Sequence, residues 1–153
     1  MSNEDNFIAQ LEREEDKRSR LYDDATGKDI VPGTLVVGNP SIGVGRNLIA
    51  NPLSPAEIAF LLANDVRRTR ESLMGFVWFA KLDEVRQDAL ANAAFNMGTN
   101  NLLHFPHMIA ALAQDPPDFA EAGRQLDDPH WEAQVGSRAK ELGAQLATGQ
   151  FQS

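Results

Sequence analysis

The sequence of 153 residues contains no cysteine, which excludes disulfides and thiolate metal sites. It has no run of about eighteen or more apolar residues, so no membrane insertion is expected. Basic residues are also scarce: 14 Lys and Arg stand against 22 Asp and Glu, for a formal net charge of −8. Nucleic-acid binding depends on neutralising phosphates with basic side chains, so a nucleic-acid partner is not expected.

The first residues, 1–16, are polar and acidic. A secretory signal would combine a basic start with an apolar core, and this segment has neither. We therefore expect no export route of its own for this chain. Its length is that of one ordinary domain, large enough to fold without covalent cross-links.

The residue pattern changes near residue 22, from helical spacing to turn residues and short β-branched runs. Residues 5–20 predict a first helix, because Phe7, Ile8 and Leu11 recur at helical spacing. Residues 22–52 are rich in glycine and proline and carry short β-branched runs, which predict a small antiparallel sheet. The predicted strands centre on Ile30–Val31, Leu35–Val37 and Ile42–Val44.

From residue 54 onward the pattern predicts one helix after another. Ser54-Pro55-Ala56-Glu57 has the residues of a capping box with proline at the first helical position. The predicted helices cover about 54–80 with a break at Gly75, 83–97, 106–114, 117–125 and 129–146. The fold class is therefore α+β and mainly α, with a small N-terminal sheet lobe, a larger helical lobe and a cleft between them, where ligands commonly bind.

Several kinds of site lack support. His104, His107 and His130 have no further ligands at metal-binding spacing, so no metal site is predicted. The chain has no Gly-x-Ser-x-Gly elbow for a nucleophilic serine. Gly43 and Gly45 lack the third glycine of a dinucleotide-binding loop and lie in the turn-rich region.

Carboxylates are the remaining chemical groups. Six of them crowd the end of the first predicted helix and the entry to the sheet: Glu12, Glu14, Glu15, Asp16, Asp23 and Asp24. Most acidic runs simply face water. However, a glutamate on the apolar side of a helix, facing an aspartate beyond a turn, is the pair that glycoside hydrolysis requires. The glutamate donates a proton to the leaving oxygen, while the ionised aspartate holds a water or the developing positive charge.

The N-terminal third contains, in this order, Glu15, Tyr22-Asp23-Asp24, Gly27 and Ser41-Ile42-Gly43-Val44-Gly45. With this series it resembles the T-even phage lysozymes, a phage endolysin and muramidase family (glycoside hydrolase family 24). Glu15 lies nine residues before Asp24, and the tyrosine lies two before that aspartate, as in the family. Pairing Glu14 with Asp23 gives the same separation but displaces the tyrosine by one position.

The resemblance continues in register through most of the chain. Its later segments are Leu53–Glu57 with Asn64-Asp65-Val66, Arg86–Leu90 through Phe95–Gly98, Phe105, and Trp131 with Gln134 and Arg138-Ala139. Each motif alone is weak, but their common order makes a chance match unlikely.

The resemblance implies a lysozyme that hydrolyses the bond between N-acetylmuramic acid and N-acetylglucosamine in bacterial peptidoglycan. Glu15 would be the general acid, Asp24 would orient or activate the attacking water, and Ser41, in the family's threonine position, would help to hold that water. Family members of this kind invert the anomeric carbon, which suits a gap wide enough for water. Arg46, in a histidine position of the family, and Phe105 are further substrate-binding candidates.

The resemblance also implies no cofactor and no metal. The partner would be peptidoglycan, and the protein would be a monomer or a virion component. It would wait in the host cytoplasm for holin-dependent release to the periplasm and cell wall, or be virion-associated. Two alternatives stay open: a lysozyme-like virion, structural or wall-binding protein without activity, and a lytic transglycosylase, which needs the glutamate but no water-positioning aspartate.

The predicted organisation is a single lysozyme-like domain over residues 1–153. Residues 1–53 form the sheet lobe with the first helix, and residues 54–153 form the helical lobe. Thirteen residues lie between Gly27 and Ser41, where the family has about three, so 29–40 is predicted to be an insertion. We expect it to be either a longer surface hairpin or a functional element such as a lid, a substrate contact or a docking surface.

Overall fold

The computed structural model describes residues 2–152 and divides into two compact units, residues 1–58 and 59–153. The first unit contains α1, a three-stranded sheet and the start of α2; the second is helical. The elements are α1 Asn3–Glu14, β1 Lys17–Asp23, β2 Pro40–Val44, β3 Arg46–Asn47, α2 Pro55–Met74, α3 Val77–Ala80, α4 Glu84–Met97, α5 Thr99–Leu102, α6 Pro106–Leu112, α7 Phe119–Leu126, α8 Pro129–Val135 and α9 Ser137–Thr148.

Helix α1 begins with a capping box. The Ser2 hydroxyl accepts a hydrogen bond from the Asp5 backbone N–H at 3.1 Å, and the Asp5 carboxylate accepts one from the Ser2 N–H at 2.7 Å. The predicted helix over 5–20 is too long, because the observed helix ends at Glu14 and the chain turns into β1 at Lys17. Pairing with a distant strand therefore overrides the local helical pattern of residues 17–20.

The sheet has the order β1-β2-β3, and both pairs are antiparallel. It uses only one of the three predicted strand centres, Ile42–Val44. Ile30–Val31 forms no strand. The Ile30 N–H donates a hydrogen bond to Leu21 O, next to an isolated bridge between Tyr22 and Asp29. Leu35–Val37 is not a strand. Leu35 is 86% exposed, and the Val37 N–H donates to the Asp23 carboxylate instead of to the backbone of a neighbouring strand.

Helix α2 begins as predicted. The Ser54 hydroxyl accepts from the Glu57 N–H at 3.3 Å, and the Glu57 carboxylate accepts from the Ser54 N–H at 2.8 Å. The predicted break at Gly75 is also confirmed, since α2 ends at Met74 and α3 begins at Val77.

The hydrophobic core of the described residues lies in the second unit. It is formed by alanine, leucine, methionine and aromatic side chains between α2 and α9, including Leu73, Phe79, Leu90, Leu102, Met108, Leu126, Trp131 and Leu146. The helix predicted over 83–97 is confirmed with Asp83 and Gly98 as its caps. The helix predicted over 129–146 is instead two helices, because Gly136 (φ 63°, ψ −138°) interrupts it. Helix α5 was not predicted.

The α+β, mainly α fold class is confirmed by the one small sheet among these helices. In the described part of the chain, no helix is both long enough and apolar enough to cross a membrane.

Candidate functional site

Four of the five candidate site residues belong to the first unit. Glu15 lies between α1 and β1, Asp24 directly follows β1, Ser41 lies in β2 and Arg46 begins β3. Phe105 belongs to the second unit, directly before α6. The sheet therefore organises the two carboxylates and the serine.

Glu15 forms the C-terminal cap of α1, with an extended backbone (φ −111°, ψ 143°). Its N–H donates to Leu11 O at 2.9 Å. Its carboxylate lies beside the turn between β2 and β3, where a Cβ added to Gly45 would be 3.5 Å from Glu15 Oε2. The glutamate is exposed and follows the last residue of α1, so the expected position on the apolar side of a helix is wrong. Helix α1 ends at Glu14, one residue before Glu15, because the chain then turns into β1.

Asp24 is held in place by Asn39. The backbone N–H of Asn39 donates to Asp24 Oδ1 at 2.7 Å, and its side-chain amide donates to Oδ2 at 3.1 Å. The Asp24 N–H donates in return to Asn39 O at 3.0 Å. An ionised carboxylate has about four acceptor positions, so Asp24, which is exposed, retains acceptor capacity for a water.

Asp23, which the sequence offered only as an alternative partner for Glu14, has a structural role next to Asp24. It is 1% exposed, and its carboxylate accepts hydrogen bonds from the N–H groups of Ala25, Val37 and Gly38 at 3.0, 2.8 and 3.0 Å. The bond from Val37, followed by those from Ala25 and Gly38, lowers the pKa of Asp23 against the opposing effect of burial. Asp23 is thus a buried structural carboxylate, whereas its neighbour Asp24 is open to solvent.

Ser41 lies in the central strand of the sheet and is 2% exposed. It pairs with Tyr22 of β1 and with Asn47 of β3. Residues directly opposite each other in an antiparallel pair project to the same face, so Ser41 and Tyr22 share a face. Along β2, Ser41 is two residues from the Asn39 that binds Asp24 and four residues from the Gly45 that faces Glu15.

An irregularity in β1 shortens the distance between its two ends. The register shifts between Arg18 and Tyr22, so that five residue steps from Lys17 to Tyr22 face three steps from Val44 to Ser41. Three strand steps cover about 10 Å. The bulge therefore brings the positions flanking β1, Glu15 and Asp24, closer together than a regular strand of this length would.

Arg18 stabilises the turn that carries Asp24. Its guanidinium donates to Gly27 O at 2.8 Å and to Asp29 Oδ1 at 2.9 Å, and it lies 4.3 Å from the centre of the Tyr22 ring. No motif pointed to Arg18, because its partners are defined only once the turn has formed.

Arg46 has a network of its own. Its guanidinium binds both carboxylate oxygens of Glu57, donates to Asn51 O at 2.9 Å and donates to Pro52 O at 2.7 Å. Arg46 first, and then the Ser54 N–H and hydroxyl, lower the pKa of Glu57 to about 2. These contacts connect β3 to the start of α2, while a contact of Arg46 with substrate stays a prediction.

Phe105 is partly buried and packs against the hydrophobic core of the second unit. This contact accounts for an aromatic residue at that position, and its role in substrate binding also stays a prediction. Within the described range 2–152, no group of three or more His, Cys, Asp or Glu side chains is arranged to bind a metal ion. The candidate groups in the first unit are the exposed carboxylates of Glu15 and Asp24 and the buried hydroxyl of Ser41.

Known proteins are similar to this chain in sequence. Residues 13–145 match the phage lysozyme family. The chain is 30% identical to the pre-baseplate central spike protein Gp5 of Enterobacteria phage T4 over 94% of its own length and 28% of that protein. It is 28% identical to the probable T4-type lysozyme 1 of Dictyostelium discoideum over 46% of its length and 41% of that protein. The chain thus spans less than half of each relative, and it belongs to the phage lysozyme family.

Proposed function

We propose that this protein is a muramidase that hydrolyses the glycosidic bond between N-acetylmuramic acid and N-acetylglucosamine in bacterial peptidoglycan. The observation that carries the proposal is the pair of solvent-facing carboxylates, Glu15 and Asp24, at opposite ends of β1 within a chain of the phage lysozyme family. Two acidic side chains flanking the scissile bond are the usual requirement for this reaction.

In the proposed reaction, Glu15 donates its proton to the glycosidic oxygen as the bond from that oxygen to the anomeric carbon breaks. Asp24 accepts a proton from a water molecule, whose oxygen forms the new bond to the anomeric carbon. Attack from the side opposite the leaving group inverts that carbon. The position of the carboxylates at the two ends of a strand, rather than side by side, supports a mechanism with a water between them.

Ser41 supports the same water in this proposal. It lies in β2 between Asn39, which binds Asp24, and Gly45, which lies beside the Glu15 carboxylate, and it shares a face of the sheet with Tyr22. A buried hydroxyl can both accept and donate a hydrogen bond, which suits a water that loses a proton during the reaction.

The similarity to a phage spike protein favours a second possible location for the activity. That relative is named as a pre-baseplate central spike protein, and the similarity covers 94% of this chain. We therefore propose a virion-associated role in cell entry alongside the alternative of host lysis after release from the cytoplasm. A virion protein of this fold that binds peptidoglycan without cutting it is the competing function.

The test is the clearing of outer-membrane-stripped Gram-negative cells by the wild type and by Glu15→Gln. Glutamine keeps the shape of glutamate but cannot donate a proton from a carboxyl group, so clearing should disappear while the protein stays folded. Binding to insoluble peptidoglycan, measured in the same preparations, should be retained. A folded wild type that binds peptidoglycan and does not clear cells would favour the non-cutting alternative.

A further inference from the structure

The segment that ends the predicted insertion contacts both aspartates at the end of β1. Three consecutive backbone N–H groups, those of Val37, Gly38 and Asn39, donate to the two adjacent carboxylates Asp23 and Asp24 at 2.7 to 3.0 Å. Consecutive N–H groups of this kind form a site that favours negative charge. The insertion is therefore attached to the catalytic end of the sheet and is not an independent surface hairpin.

The two aspartates take different parts in this arrangement. Asp23 is buried and binds the first two N–H groups, which attaches the segment to the sheet. Asp24 is exposed and binds the third, together with the Asn39 side-chain amide. One carboxylate fixes the segment, and the segment in turn fixes the orientation of the other.

Gly38 makes this approach possible. A Cβ at this position would overlap Asp24 Oδ1 and would lie 2.7 Å from the Ala25 Cβ and 2.8 Å from the Ala25 N. Any side chain at residue 38 must therefore displace Asp24 or the turn behind it.

We propose that Asn39 and Gly38 are positioning residues that set the orientation of Asp24 for attack by water, an inference that rests on the proposed function. Asn39 binds both oxygens of the carboxylate and so restricts its rotation, and Gly38 leaves the space in which that carboxylate lies. Neither residue needs to contact the sugar, and both act through Asp24. Catalytic rates depend steeply on such orientation, since a displacement of about 1 Å can cost about a hundredfold.

The test combines kinetics with an observation that needs no activity. Asn39→Ala removes the amide bond and keeps the backbone bond, so kcat for solubilised peptidoglycan should fall about tenfold with little change in KM. Gly38→Ala should lower kcat further, by about a hundredfold. Asn39→Gln, which keeps an amide, should recover part of the loss. Thr34→Ala is the matched control, because the Thr34 hydroxyl bonds only within the same segment, to the Val31 N–H at 2.9 Å.

A double-mutant cycle separates positioning from general damage. In an Asp24→Asn background, Asn39→Ala should change kcat by less than about twofold, because the group through which it acts is already neutral. An equal loss of kcat in both backgrounds would overturn the proposal, as would unchanged kcat in a folded Asn39→Ala protein.

Amide NMR tests the contact itself. The backbone and side-chain amide signals of Asn39 should shift in Asp24→Asn, because the acceptor of both hydrogen bonds loses its charge, and should change little in Thr34→Ala. Asn39 amide signals that are the same in wild type and Asp24→Asn would overturn the proposal, even if the enzyme is active. The expected shift of the Asn39 signals in Asp24→Asn, together with a wild type that does not cleave peptidoglycan, would instead refute the proposed function, and with it a catalytic purpose for this contact.

Discussion

Gly123 of α7 and Gly143 of α9 lie backbone to backbone. A Cβ at Gly143 would be 2.7 Å from Gly123 O, and a Cβ at Gly123 would overlap Gly143 O. Two helices of the core thus approach at a point where neither has a side chain. The glycines cost helix stability, about 1 kcal/mol each relative to alanine, and the close packing of the helices offsets this cost.

Gly123→Ala should therefore destabilise the protein in spite of alanine's higher helix propensity. The added methyl group meets a backbone carbonyl, which cannot move aside as a flexible side chain can. We expect a net loss of about 1–2 kcal/mol in the free energy of unfolding, or about 2–8 °C in Tm. Gly75→Ala is the matched control, since a Cβ there meets nothing within 4 Å. Equal Tm values for the two variants would contradict the close approach of α7 and α9.

Acid should weaken the connection between β3 and α2. Arg46 and Ser54 lower the pKa of Glu57 to about 2 from its usual 4.5. A carboxyl group with a lowered folded pKa stabilises the protein fully above its unfolded pKa and loses that contribution as the pH falls through the folded pKa. The contribution of Glu57 should thus be complete above pH 4.5 and decline between pH 4.5 and about 2.

Thermal unfolding across that pH range measures the effect. Glu57→Gln keeps the size of the side chain and removes its titration, so its Tm should depend less on pH in this window than the wild-type Tm. Glu71→Gln is a control of the same chemistry, because Glu71 pairs with Arg67 on the exposed side of α2. Parallel Tm curves for wild type and Glu57→Gln would show that the Arg46–Glu57 pair contributes nothing to acid sensitivity.

The helices from residue 54 onward were predictable because their signals are local. The capping residues Ser54 and Asp83, Gly75 at a break and Gly98 at a helix end each act within one turn of their own helix. The boundary between α8 and α9 was harder to predict. Their periodicity continues across Gly136, and only its backbone angles interrupt the helix.

The candidate site was less predictable because its contacts join distant residues. The spacing of Glu15 and Asp24 selected the two carboxylates through resemblance to a family. The position of Glu15 beside Gly45 and the bonds of Asp24 to Asn39 follow only from the strand register. The run Leu35–Val37 has high strand propensity, yet it pairs with no strand of the described residues, and the Val37 N–H donates to Asp23 instead. The Gly38-Asn39 pair marks a turn in the sequence but does not reveal that Asp24 is its partner.

Deletion of residues 31–39 should separate folding from activity. The core of the described chain lies in the second unit, so the helical circular dichroism should be retained. The same deletion removes every N–H donor from Val37 to Asn39 that binds Asp23 or Asp24, so clearing of cells should be lost. Loss of helical signal would show that the insertion is required for the helical unit, and retained clearing would show that the reaction does not need these contacts.

The role of Asp24 can be tested by the products as well as by the rate. If Asp24 accepts the proton of the attacking water, Asp24→Asn should lower kcat by about 10² to 10⁴ and leave peptidoglycan binding intact. The wild type should release muramic acid ends with a free reducing hydroxyl, initially of the inverted anomer, as proton NMR of a fresh digest would show. An anhydro sugar product, together with full activity of Asp24→Asn, would instead identify a lytic transglycosylase that uses Glu15 without a water-activating aspartate. A retained anomer would exclude direct attack by water and indicate a covalent or ion-pair intermediate between the two carboxylates.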